Sequence, residues 1–179
     1  ETLKTFENNG ISTSKNFYDL DVIILATGFD AMTGTLFNID IQGKNNIKLK
    51  DKWSKGPINY LGLSSAGFPN LFTISGPGSP SVLTNMPMAI EQHVEWVRDW
   101  ISYMNNKNHS TIEADSKSAD KWGNEVNAVA NKTLLPTVKH SWYLGANIPG
   151  KPQVFMPYAG GLPRYTKVCD EIKNNDYKG

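Results

Sequence analysis

The residues of this chain whose types and spacing are fit for chemistry gather in one short stretch, Gly76-Pro77-Gly78-Ser79-Pro80-Ser81. Glycine admits backbone angles that other residues avoid and proline withdraws a ladder donor, so the stretch cannot continue a strand. Gly76, Gly78 and Ser81 spell G-x-G-x-x-S, close to the dinucleotide-binding fingerprint but without its third glycine. The same pattern also describes an ordinary strand-to-helix connection, and spacing alone leaves both readings open. A second place is Asp21–Asp30, an apolar run that ends in Thr27-Gly28-Phe29-Asp30. Such runs suit a buried strand of a parallel sheet, and parallel sheets hold ligands outside their carboxyl ends. Thr27 and Gly28 are therefore expected at a ligand edge, unless Gly28 merely ends a core strand. His93, His109 and His140 lie far apart with no metal-ligand spacing. His93 sits beside an apolar stripe and reads as a satisfied helix residue; His140 has no visible partner. Cys169, within a helical pattern, reads as a small core residue rather than a nucleophile.

The elements that must position these residues follow from periodicity. Leu71 to Ile74 is a short apolar run of strand formers ahead of the glycine stretch. Beyond it, Ile90, Val94, Val97, Ile101 and Met104 recur at helical spacing and define the expected buried face, with Glu91, Glu95, Arg98 and Asp99 opposite. Thr84 or Asn85 serves as N-cap and Pro87 sits in the first turn, where its missing N–H costs nothing. The N–H groups and positive dipole at that helix start then aim at whatever the loop cradles. A second helix is predicted over Asp115–Lys132 with Trp122 packed in the core, and a third from Pro163 through Val168, Cys169 and Ile172. Asn8-Asn9-Gly10 marks a turn, residues 31–70 read as strands and loops, and Trp53 anchors a charged, solvated segment. Gln153–Tyr158 reads as a strand. The loop 140–152, aromatic and glycine-rich, is too apolar for an idle linker and is of the kind that closes over sites.

Length and composition bound the class. At 179 residues, one domain with a real core is possible, and 18 basic against 17 acidic residues give no field that would attract nucleic acid or an anionic membrane. One cysteine excludes an internal disulfide framework and fits a reducing compartment, hence an expected cytoplasmic location. No apolar run approaches the length of a membrane span. The chain begins with Glu rather than Met, which suggests a piece of a longer polypeptide.

Three segments taken together, LATGFD at 25–30, SGPGSPSVLTNMPMAIEQHVEW at 75–96 and SWYLGANIPGKPQVFMPYAGGLPRY at 141–165, closely resemble Baeyer–Villiger monooxygenases of the cyclohexanone and phenylacetone type. The resemblance implies an α/β chain with a partial Rossmann-like, FAD- and NAD(P)-binding fold: the tail of an NADPH domain and linker over residues 1–26, then the second half of an FAD domain over 27–179. It implies FAD and NADPH as cofactors, with a ketone and O2 as substrates. NADPH reduces FAD, oxygen adds to give a flavin peroxide, and an ester or lactone results. By position, Thr27 and Gly28 match the interdomain linker near the nicotinamide, and Gly76, Pro77, Asn85 and Met86 match family positions that lie against the flavin. Trp142 matches a tryptophan of the mobile loop over NADP. Ser81, Val82, Leu83, Thr84, Phe155 and Met156 match the substrate pocket.

The resemblance covers about the C-terminal third of a family chain. Both complete dinucleotide fingerprints of the family and its catalytic arginine fall outside the matched segments, and Arg98 and Arg164 read as helix-surface residues, not substitutes. No catalytic residue is therefore assigned within residues 1–179. The missing N-terminal part of the same protein is an expected partner, the isolated chain is expected to be inactive, and its unpaired apolar surface favours self-association. Two other readings stand beside this one: a flavin monooxygenase that oxygenates nitrogen or sulfur, and a non-catalytic interaction or degradation fragment.

Overall fold

The computed structural model describes residues 1–81 and 83–178. The first twenty form a small antiparallel meander, β1 (Leu3–Glu7), β2 (Gly10–Thr13) and β3 (Phe17–Asp19), in the order β1-β2-β3. The expected turn at Asn8-Asn9 closes the first hairpin, with Glu7 opposite Gly10. Gly10 is needed there because a Cβ would stand 1.9 Å from the Tyr18 carbonyl oxygen.

Two short helices follow, α1 (Gly34–Phe37) and α2 (Leu49–Lys52), where strands and loops were expected. They meet over a small cluster of Leu49, Trp53 and Phe68. Trp53 thus anchors its segment as expected, although by full burial under a helical turn.

The main core lies between three long helices: α3 (Met86–Asn106), α4 (Ser116–Ala130) and α5 (Leu162–Asn174). α4 starts as its sequence dictates, with the Asp115 carboxylate accepting the Ser118 amide at 2.9 Å. That bond and the Ser118 hydroxyl hold the Asp115 carboxyl below the usual range. α3 starts after Asn85 with Pro87 in its first turn. Its buried face is rotated from the one its aliphatic residues predict, with Val97 of that stripe buried and Met104 half-buried. Ala89, His93, Trp96, Val97 and Trp100 turn inward, while Ile90, Val94 and Ile101 remain exposed. Two tryptophans and a histidine offer more surface to bury than the aliphatic stripe, and they decide the orientation. Trp96 and Trp100 pack at 4.9 Å between ring centroids, and Trp96 Nε1 donates to the Cys169 carbonyl at 3.0 Å, tying α3 to α5.

Three predicted strands are not strands here. Asp21–Asp30 has no regular secondary structure, makes no ladder and is almost wholly exposed, with Ile24 and Phe29 among its most solvated apolar side chains. A parallel strand is buried only when strands flank it and helices cover both faces, and no described residue supplies such neighbours. Leu71–Ile74 contributes a single bridge, Phe72 to Ser64. Gln153–Tyr158 spends its hydrogen bonds on loops: the Val154 amide on Leu144, Met156 on Tyr143 and Tyr158 on Ser79.

Trp122 joins α4 to the glycine stretch, packed in the core as expected and donating from Nε1 to the Gly78 carbonyl at 2.9 Å. Replacing Trp122 with Phe removes the donor and strands a buried carbonyl, at a cost of about 1–3 kcal/mol. The expected result is a lower urea midpoint with an unchanged slope.

Candidate functional site

The glycine stretch is buried from Gly76 to Ser81, and its geometry explains why. The Gly76 amide donates to Gly62 (3.2 Å), the Gly78 amide to Met156 (2.7 Å) and the Ser79 amide to Gly76 (3.1 Å). Gly78 has φ +91, and a Cβ on it would press on the Asn59 carbonyl and the Trp122 ring nitrogen, each at 3.2 Å. A Cβ on Gly76 would meet Thr73 Oγ1 at 2.5 Å and the Gly62 carbonyl at 2.6 Å. The glycines therefore serve close contact between chain segments. The amides that a phosphate would need are consumed, so the G-x-G-x-x-S spacing marks a packing turn and not a pyrophosphate cradle.

What the turn does build is one wall of a cleft of about 780 Å³. Pro77 and Gly78 meet Phe155 and Met156 there, with Asn59 and Val126. Among the expected site residues, Pro77, Phe155 and Met156 are thus brought together and buried. Asn59 escaped the sequence reading. It is 4% exposed, donates from Nδ2 to Thr73 Oγ1 at 3.0 Å, and its Oδ1 has no partner among the described residues. The signal was a lone amide side chain between Pro57-Ile58 and Tyr60-Leu61.

The remaining expected residues lie around this wall. Ser81 is buried; Thr84 and Met86 are half-buried; Leu83 and Asn85 are exposed at the start of α3. Val82 lies outside the described residues. Asn85 makes no side-chain cap bond, so the first-turn amides of this 21-residue helix have neither an intrahelical partner nor a cap from that side chain. Thr27 and Gly28 are exposed, and Gly28 takes φ +78 with open space where a Cβ would stand.

Trp142 opens a short turn, Trp142–Leu144, in which the Ser141 hydroxyl accepts the Tyr143 amide. Its ring meets Tyr143 edge-on at 4.4 Å, and Tyr143 in turn faces Phe155 at 6.3 Å. The same loop reaches the other motif. Asn147 Nδ2 donates to the Phe29 carbonyl at 3.0 Å, and Lys151, only 10% exposed, pairs with Asp30. All three motif segments are therefore connected: 25–30 to the 140–152 loop, that loop to 154–156, and 156–158 to the glycine turn.

The titratable groups offer no obvious acid or nucleophile. Cys169 is fully buried and burial pushes its thiol up to about 12. Arg98 and Arg164 are exposed on helices, as expected, paired with Asp99 and Glu125. No group of metal-binding side chains forms among the described residues. No helix among them is long and apolar enough to cross a membrane. His93 is fully buried; its Nδ1 accepts the Ser75 amide at 3.2 Å, while Nε2 has no partner among the described residues. Sequence alone made it a satisfied helix residue, and the structure satisfies one of its two nitrogens.

Burial holds His93 down at about 4, against an ordinary 6.5. The unfolded chain takes up this proton near 6.5 and the folded chain only near 4. Between those values the unfolded state binds more protons, so stability falls as pH falls. The expected slope from this group is at most ~1.4 kcal/mol per pH unit, with none above that window. Unfolding free energy measured from pH 4 to 7 should be flatter in His93→Asn than in the native chain.

No family model matches the chain. Individual proteins do. The cyclohexanone 1,2-monooxygenase of Acinetobacter sp is 41% identical over 172 residues, covering 96% of this chain and 31% of that protein. The phenazine N-monooxygenase PhzNO1 of Lysobacter antibioticus is 34% identical over 99% of this chain and 32% of its own length. Among solved structures, the OTEMO complex with FAD and NADP superimposes with a TM-score of 0.89 at 38% identity, over 99% of this chain and 32% of that one. The chain spans about a third of the length of the relatives it matches. Its mixed α/β architecture matches part of the fold of those monooxygenase structures. Over nearly its whole length, this chain matches a fragment of a Baeyer–Villiger monooxygenase.

Proposed function

We propose that the protein to which this chain belongs is an FAD- and NADPH-dependent monooxygenase that inserts one atom of O2 beside a ketone carbonyl, giving an ester or lactone. The observation that carries the reading is the cleft in which Pro77, Phe155 and Met156 meet beside the turn that leads into α3. Residues 1–26 then act as the end of the NADPH domain and linker, and 27–179 as the second half of the FAD domain.

The residues present suit a flavin ring better than its phosphates. The glycine turn has no spare amides at Gly76, Gly78 or Ser79, whereas the first turn of α3 lacks a side-chain cap from Asn85. Gly76 and Pro77 would lie against the flat ring, and Asn85 with the first-turn amides of Met86 and Met88 would face its pyrimidine edge, where reduction gathers negative charge. When bound, FAD supplies the oxygen chemistry and NADPH the reducing equivalents. Ser81, Val82, Leu83, Thr84, Phe155 and Met156 would bound the ketone. Trp142, carried by a loop anchored to Asp30 and Phe29, would cover NADP, with Thr27 and Gly28 beneath the nicotinamide. Such a cover keeps water from the reacting centre.

A second reading is favoured by one observation, the N-monooxygenase relative that spans 99% of this chain. The deciding experiment uses the complete reading frame, purified with flavin. Cyclic and aryl ketones are expected to accelerate NADPH oxidation and to yield a lactone or ester. Acceleration by aromatic nitrogen compounds or sulfides alone favours the second reading, and an absence of bound flavin rejects both. In the same protein, Trp142→Ala is expected to weaken NADP retention and to raise hydrogen peroxide release per NADPH consumed. Unchanged coupling rejects the role of this residue.

A further inference from the structure

The turn that presents Pro77 begins at a residue in an uncommon conformation. Ser75 has φ +56, a region that glycine visits freely and serine only at a cost. Its backbone partner is a side chain from elsewhere: the Ser75 amide donates to Nδ1 of His93, which α3 brings from 18 residues away. The opposite segment repeats the arrangement. Leu61 has φ +56 and Gly62 φ +73, and the Leu61 carbonyl accepts from the Tyr165 hydroxyl at 2.7 Å. Tyr165 is carried by α5, is fully buried, and meets the His93 ring edge-on at 5.4 Å. The two braced segments are themselves joined by the Gly76 amide on Gly62. A pair of rings from two helices therefore clamps two left-handed residues at the base of one turn.

We propose that His93 is a positioning residue for the Gly76-Pro77-Gly78 turn, its Nδ1 holding Ser75 in the left-handed conformation that sets the direction of the cleft wall. The hydrogen bond selects a tautomer: Nδ1 accepts only when the ring proton is on Nε2. The neighbouring backbone is held as well, Thr73 by Leu63 and Gly76 by Gly62, but the bond made by Ser75 itself is the one to His93. Its hydroxyl has no partner among the described residues, so the side chain does not hold the conformation.

The test rests in part on the flavin reading above, and its two readouts separate the failures. The first needs no flavin. Nitrogen NMR of His93 in the native full-length protein is expected to show a neutral ring protonated on Nε2; a proton on Nδ1 overturns the proposal. The second uses the flavin-loaded protein. His93→Leu removes the acceptor and is expected to shift the visible flavin bands and weaken FAD binding about tenfold, the loss expected for one buried hydrogen bond. His93→Asn, whose side-chain oxygen stands as many bonds from the backbone as Nδ1, should retain the native spectrum. Adding Ser75→Gly to His93→Leu should restore most of the loss, since glycine holds the same angle unaided. A residue that only fills space would not be rescued by a glycine elsewhere, so an absent rescue overturns the proposal. So does His93→Asn behaving as His93→Leu. If the native protein binds no flavin, the flavin reading fails alone and the tautomer still decides the role of His93.

Discussion

The interaction on which the rest depends is the exchange of backbone hydrogen bonds between the glycine turn and the segment 156–158. The Gly78 amide donates to Met156, and the Tyr158 amide donates to Ser79. With Trp122 capping the Gly78 carbonyl, the turn is fixed from two sides by parts of the chain far removed in sequence. The cleft wall is then a by-product of satisfying buried amides and carbonyls. Pro77 is flanked by residues whose backbone groups are bonded, Gly76 to Gly62 and Gly78 to Met156, and Met156 faces the cleft as one partner in that exchange.

Rigidity on one side is matched by attachment on the other. The aromatic loop is pinned at both ends, to 154–156 through Leu144 and Tyr143, and to residues 29–30 through Asn147 and Lys151. The segment that carries Thr27 and Gly28 is thus tied to the loop that carries Trp142.

The helices were legible because their signals are local: an Asp N-cap for α4, Pro87 in the first turn of α3, Pro163 near the start of α5. The strands were not, because an apolar run such as Val22-Ile23-Ile24-Leu25 becomes a strand only beside partners, and none of the described residues provides them. The buried face of α3 was misread for a related reason. Aliphatic spacing pointed to Ile90, Val94, Val97, Ile101 and Met104, of which Val97 is buried and Met104 half-buried, while aromatic area at Trp96 and Trp100 turned the face away from Ile90, Val94 and Ile101. The glycine spacing left a dinucleotide cradle and an ordinary strand-to-helix connection both open, and the contacts a Cβ would make favour the second, close packing of chain on chain. Asn59 stood out in the sequence only as an amide among apolar neighbours, and the bond from Ser75 to His93 carried no pattern, since each depends on a partner brought by folding.

Cys169 is the one thiol in the sequence and is sealed between α3 and α5, its own carbonyl held by Trp96. Thiol reagents attack the thiolate, and burial suppresses both access and ionisation. Oxidants therefore spare the intact molecule and mark one whose helices have parted. The chain thus carries an internal clock for the first separation of its core, readable as the rate at which a single sulfur becomes reactive.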